Sequence, residues 1–295
     1  ESKAGQPKTV NLKPGNYVLE ETAAPKGYIA ITNVEFTVND DTTVTVTKTT
    51  TTGKVVFGDD GTVKIMDDAN PVKVTFKKTD ITGSNEVENA DLKITGREVG
   101  ASEDIKDITW TSRKGEEKTV DLKPGKYHLE ETAAPNGYVA ITKVDFEVEA
   151  DGTITVTNQT TTGDVEVADG VVTIKDDYVT RTYHFKKTDI TGTSEVDKAD
   201  LEITGREKNA KQDIKPISWT SDTSTSGKTV ELKPGEYTLK ETAAPDGYEA
   251  ITEVKFTVDL DGKITVTQQS TTGEVEVVGD TVIVKDDNKP GDVTF

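Results

Sequence analysis

The chain has 295 residues, a net charge of −19 and no cysteine, and its acidic residues are spread along its length. Nucleic acid needs a basic surface and a polybasic membrane contact needs clustered lysine or arginine, so the charge argues against both, and no apolar run approaches the roughly 18 residues of a membrane span. Hydrophobic residues make up 32%, enough for small sandwiches rather than one large core, and the abundance of Thr, Val, Asp, Lys and Gly is strand-and-turn chemistry.

In chain order, the first strong signal is residues 12–28, LKPGNYVLEETAAPKGY, which returns as LKPGKYHLEETAAPNGY and as LKPGEYTLKETAAPDGY. Its second acidic position is Glu21, then Glu131, then Glu241, a spacing of 110. A strand-like stretch ending in Asp67 has counterparts ending in Asp176 and Asp286, and FKKTDITG begins at Phe76 and again at Phe185. A period near 110 is too long for a solenoid unit and fits one whole sandwich domain. Within the second repeat, alternating apolar and polar residues predict strands over 72–78, 126–131, 144–148, 153–157 and 171–176. Pro124-Gly125 marks a turn, Asp151-Gly152 reads as a two-residue hairpin, and no long helical stretch appears. The expected fold is all-β: tandem immunoglobulin-like β-sandwiches, beads on a string.

The repeat phase divides the chain into a partial repeat lacking its opening strands at 1–70, complete repeats at 71–179 and 180–288, and the start of another first strand at 289–295. Glu1 aligns with Thr111 and Phe295 with Phe185. The expectation is an excerpt from a longer array; the alternative is that chains join head to tail and one completes another's truncated domain.

Side chains in a strand alternate faces. On that count Lys78 shares a face with Val74 and Phe76, Glu131 with Tyr127 and Leu129, and Asp176 with Val172 and Ile174. The next repeat reproduces the set: Lys187 follows Tyr183 and Phe185, Glu241 follows Tyr237 and Leu239, and Asp286 follows Val282 and Val284. Each complete repeat therefore points one Lys, one Glu and one Asp toward its core. One resolution is a buried ion cluster, or strand ends that already reach solvent. The other is chemical. An apolar core lowers a Lys pKa and raises carboxyl pKa values; a neutral amine is a nucleophile, a protonated Asp can lose its hydroxyl as water, and Glu can carry protons between them. The product, a Lys–Asp amide, removes two charges and adds a covalent staple. Small extracellular domains without cysteine need a staple of some kind.

The ETAAP-x-GY segment after LKPG-x-Y, the Phe-x-Lys-x-Asp strand before it and the late strand ending in Asp together resemble the Cna B-type (SpaA-like, prealbumin-like) domain of Gram-positive pilins and adhesin stalks. The likeness covers nearly the whole chain and is greatest to the domain that gave rise to the split tag and catcher ligation pair. It implies an inverse immunoglobulin-like sandwich with a spontaneous isopeptide bond between first and last strands, and a Glu as proton shuttle. By position the bonds are Lys78–Asp176 with Glu131 and Lys187–Asp286 with Glu241. The first repeat keeps Glu21 and an unpaired acceptor, Asp67, but has no matching Lys. A bond closing a loop of about 100 residues contributes roughly 4–5 kcal/mol in the chain-entropy model used for disulfides.

The resemblance also implies an extracellular, cell-wall-attached location on a Gram-positive bacterium, a mechanical stalk or fibre role, and partners that are neighbouring repeats of the same or an adjoining chain. A host matrix protein would then be held by a head domain outside this chain. The competing readings are repeats that themselves bind a host protein, a pilus-like polymer, and an enzyme; the last lacks any catalytic set besides a triad spent in one turnover. No cofactor or metal is expected. His128 and His184 read as exposed strand residues, and Trp110 and Trp219 as packing residues. The run Asp259-Leu260-Asp261-Gly262 reads as a hairpin rather than a calcium loop, and Asn158-Gln159-Thr160 is a weak glycosylation sequon.

Overall fold

The computed structural model describes residues 6–49, 52–58, 61–159, 162–223 and 227–291, and among these there is no helix. Thr160, which completes the sequon, and the last four residues of the expected strand start at 289–295 lie outside the described residues.

The second repeat is two sheets packed face to face. One has five strands in the order Ile108–Thr111, Asp91–Glu98, Gly125–Ala133, Val144–Val148, Ile154–Gln159, all antiparallel. In the other, the opening strand Val72–Asp80 lies between Lys118–Leu122 and the closing strand Val171–Tyr178, which also pairs with Asp164–Ala168 and Tyr138–Val139. The opening and closing strands run parallel. Parallel neighbours need a long crossover, and here the whole domain lies between them. The third repeat repeats the plan, with Arg181–Asp189 parallel to Thr281–Asp286.

Alternation places the core. Along Val72–Asp80, Val74, Phe76 and Lys78 are buried while Lys73 is exposed. From the facing sheet come Leu92, Ile94, Tyr127, Leu129 and Phe146, and from the closing strand Val172 and Ile174. Tyr127 stacks on Phe146 with ring centroids 5.5 Å apart, and Phe76 meets Trp110 at the same distance. Trp219 meets Phe185 at 5.7 Å in the third repeat, so both tryptophans pack against their cores. Such aromatic pairs add to the area they bury.

The first repeat keeps a three-stranded sheet of Gly15–Leu19, Val34–Val38 and Val44–Lys48, a two-stranded pairing of Tyr28–Ile29 with Asp68–Ala69, and the hairpin of Lys54–Phe57 and Val63–Met66. Two local expectations are corrected. The Asp151-Gly152 connection is a three-residue loop: Glu149 N–H donates to Thr153 O at 2.8 Å and Gly152 N–H to Glu149 O at 3.0 Å. Gly152 sits at φ 94°, the left-handed closure of the longer hairpin class. His128 is half-buried rather than exposed, its Nδ1 2.8 Å from Asp145 Oδ1 across the antiparallel pair; His184 is exposed.

Candidate functional site

Lys78, Glu131 and Asp176 meet between the sheets of the second repeat. In the parallel register Lys78 is opposite Ile174, so Asp176 lies on the same face one pair further along. A lysine stem spans that offset, and Lys78 Nζ is in direct contact with Asp176 Oδ1. Glu131 arrives from the facing sheet, its Oε2 3.4 Å from Lys78 Nζ. The third repeat builds the same set: Lys187 Nζ contacts Asp286 Oδ1 directly and lies 3.6 Å from Glu241 Oε2. All six side chains are between 0 and 3% exposed.

The glutamate is held by backbone. Ile141 N–H donates to Glu131 Oε2 at 2.9 Å while Glu131 N–H donates to Ile141 O at 2.8 Å. Ile251 N–H holds Glu241 Oε2 at 2.7 Å. The ladder between Gly125–Ala133 and Asp91–Glu98 slips by one residue between Glu131 and Ala133, and the third repeat slips at the matching place, between Asp200 and Leu201. Bulges of this kind re-aim side chains beside functional sites. With Oε2 anchored, Oε1 of each glutamate is left without a hydrogen-bond partner, as is Oδ2 of Asp176 and of Asp286, whose Oδ1 atoms meet the lysines.

A fully ionised set would place two negative charges and one positive in an apolar core, and buried groups avoid this by taking up protons. Burial pushes Asp176 up to about 7; Lys78 pulls it down and the charge of Glu131 pushes it further up. In the third repeat burial pushes Glu241 up to about 7, against the Ile251 N–H, and raises Asp286 as well, against Lys187. Burial thus favours a proton near neutral pH on Asp176 in the second repeat and on Glu241 in the third. An amine, a carboxylic acid and a proton carrier in contact, out of water, are the ingredients of amide formation.

The first repeat has part of the set. Glu21 is held by Ile31 N–H at 3.1 Å and donates its own N–H to Ile31 O at 2.8 Å. Asp67 is raised by partial burial and by Glu21.

Two features escaped the sequence reading. Asp80 is fully buried, not part of the Lys–Glu–Asp set, and is held by Thr82, Asn85, Tyr178 and Asn209. The lysine of each LKPG turn reaches the preceding repeat: Lys123 Nζ is 2.9 Å from Asp68 and Lys233 Nζ 2.7 Å from Asp177. The doubled Asp at 67–68, 176–177 and 286–287 was the available signal, one residue for each task. The Asp259–Gly262 run is a hairpin tip, and among the described residues no group of His, Cys, Asp or Glu is placed to hold a metal.

A model of the SpaA prealbumin-like fold domain matches residues 1–52, 72–162 and 181–272, stopping each time before the strand that carries Asp67, Asp176 or Asp286. No curated protein matches the sequence. Among solved structures, the chain is similar to the pilus adhesin SpaC of Lactobacillus rhamnosus GG in its open conformation, at 15% identity and TM-score 0.37, over 96% of this chain and 44% of that one. It is similar to a streptococcal ancillary pilin at 18% identity and TM-score 0.29, over 95% of this chain and 77% of that one. It is also similar to the shaft pilin of Lactobacillus rhamnosus GG at 14% identity and TM-score 0.26, over 76% and 99%. The chain spans less than half the length of the SpaC adhesin.

Proposed function

The chain belongs to the SpaA prealbumin-like fold domain family, and from that premise we propose that it is a stalk or fibre segment of a Gram-positive surface adhesin or pilus, stapled by Lys78–Asp176 and Lys187–Asp286 isopeptide bonds. The observation that carries this reading is the Lys–Glu–Asp set, buried between the sheets in both complete repeats. Uncharged Lys78 Nζ attacks Asp176 Cγ; Glu131 takes a proton from the nitrogen and returns it to the departing hydroxyl; an amide forms and one water leaves. Glu241 does the same for Lys187 and Asp286. Each set is spent in one turnover, so the chain is no enzyme in the ordinary sense. A bond between parallel opening and closing strands lets pulling force bypass the hydrogen-bonded sheets. The proposed location is the outer, wall-attached surface of the cell; no helix among the described residues is long and apolar enough to cross a membrane.

The test is the intact mass of the denatured chain with peptide mapping. A deficit of two waters, with peptides joining Lys78 to Asp176 and Lys187 to Asp286, is expected; a mass equal to the sequence mass sinks the staple. A second reading, a covalent polymer, is favoured by Glu21 and Asp67, which stand ready beside the half-exposed Val56, Val63 and Ile65. An opening strand from an adjoining chain would pair there and bring a lysine, and a third lost water together with a crosslinked multimer would establish it.

A further inference from the structure

Successive repeats touch through the same three kinds of contact, and a fourth pins the linker between them; none involves the Lys–Glu–Asp sets. First, the LKPG lysine binds the aspartate that follows the acceptor: Lys123 to Asp68 and Lys233 to Asp177. The lysine backbone is itself fixed, since Tyr127 OH donates to Lys123 O at 2.6 Å and Tyr237 OH to Lys233 O at 2.7 Å. Second, the glycine of the ETAAP-x-GY turn lies against a hairpin tip of the next repeat. Gly27 meets Ala150 and Gly137 meets Leu260, so closely that any side chain on either glycine would collide. Third, the residue before that glycine faces an aspartate of the tip: Lys26 adds to the effect of Thr153 in holding Asp151 low, and Asn136 donates to Asp261. Fourth, the linker is pinned to the turn: Asn70 N–H donates to Gly27 O at 2.8 Å and Val179 N–H to Gly137 O at 2.9 Å. Only Val179 and Thr180 separate the strands Val171–Tyr178 and Arg181–Asp189. Gly247 makes the matching linker bond, from Lys289 N–H, but has nothing within 4 Å of where its side chain would be.

The junction between the second and third repeats adds a latch. Asn209 Nδ2 donates to Asp80 Oδ2 at 2.8 Å and to Tyr178 OH at 2.9 Å, and Tyr178 OH donates to Asp80 Oδ2 at 3.2 Å. Asp80 and Tyr178 are buried and belong to the second repeat; Asn209 belongs to the third. Asn209 sits at φ 61°, a left-handed conformation that asparagine tolerates better than other side chains. Its counterpart in the second repeat is Gly100, at φ 79°, and the counterpart of Tyr178 in the first repeat is Ala69. The third repeat thus carries a side chain in a conformation that glycine would adopt without strain, and that side chain bonds across the junction to a buried carboxylate, the strong class of hydrogen bond.

We propose that the trailing end of each repeat is an interaction surface for the leading end of a following repeat of the same kind, that this clamp makes the array a rod rather than beads on a flexible string, and that the Asp80–Tyr178–Asn209 latch stiffens the junction between the second and third repeats. The clamp requires no crosslink.

Spin labels on exposed, equivalent strand positions test it in the full chain, which has no cysteine to interfere. Thr155→Cys with Thr265→Cys reports the latched junction. A narrow distance distribution is expected for this pair. It broadens with Asn209→Gly, broadens further when Lys233→Met is added, and the deficit of each variant against its own sequence mass and the melting of the repeats stay unchanged. A distribution already broad in the parent pair, or one that Asn209→Gly leaves unaltered while the repeats remain folded, overturns the proposal.

Discussion

The first and second repeats place the same residue types at the same positions of the closing strand and bury them differently. Val172 and Ile174, before Asp176, are 0% and 1% exposed; Val63 and Ile65, before Asp67, are 38% and 47% exposed. The difference is the strand Val72–Asp80, which pairs with one closing strand, while no strand among the described residues pairs in that way with the other. It covers the apolar residues, and in doing so dries the acceptor. Burial pushes Asp176 up to about 7, and partial burial, with Glu21 beside it, raises the half-buried Asp67 as well. The strand that supplies the amine therefore also supplies the environment in which a carboxyl is an acid near neutral pH.

The largest break in that comparison is Lys78→Met, which keeps the strand and removes the amine. If the staple forms in the parent, the deficit of the variant against its own sequence mass is one water smaller, and the second repeat loses the closure of a loop of about 100 residues, roughly 4–5 kcal/mol. Calorimetry should show that repeat melting early while the third is unmoved; an unchanged melting profile removes the staple from the account. The variant also acquires a pH dependence. Burial and Glu131 hold Asp176 above its ordinary value in the folded state, so the folded state binds the extra proton. Stability of the variant is then fullest below the ordinary aspartate value and falls as pH rises through the raised one, which the loss of Lys78's pull moves further up.

A smaller break separates burial from chemistry. Ile174→Ala removes a side chain packed in the second core and should cost about 2–5 kcal/mol. Ile65→Ala, the same change at the same position of the first repeat, should cost less than about 0.5 kcal/mol, because the residue is nearly half exposed. Denaturant titration of the two variants reads the contrast directly, and equal costs would mean that the first repeat hides its closing strand in solution.

Most of the site was legible because strand periodicity is strict. Counting alternate residues forward from Phe76, Leu129 and Ile174 predicts which of two adjacent charged residues faces inward, and in each complete repeat the inward three lie together. The Asp151-Gly152 loop was misjudged by one residue, since the dipeptide names a turn but not its length. The junctions were not legible. Asn209 and Asp80 are 129 residues apart, and nothing in the local pattern around either residue points to the other. Asp80 also has an ordinary explanation within its own loop, where Thr82 and Asn85 already hold it.

The smallest predicted effect tests that face-counting rule against its nearest competitor. Lys175 is adjacent in sequence to Asp176, and the first repeat has Met66 at the same position. Its side chain leaves the core, lies along the loop at Gly83 and pairs with Glu166 at 2.6 Å and Asp164 at 3.5 Å, both acids largely in solvent. Those partners raise Lys175, Glu166 foremost, and keep it a cation, which is no nucleophile. Lys175→Met should therefore leave the mass deficit of the second repeat intact and change its stability by less than about 1 kcal/mol, the range of exposed ion pairs. If the variant instead loses the deficit, the amine comes from the outer face, and proximity along the chain, not the parity of the strand, selects the lysine.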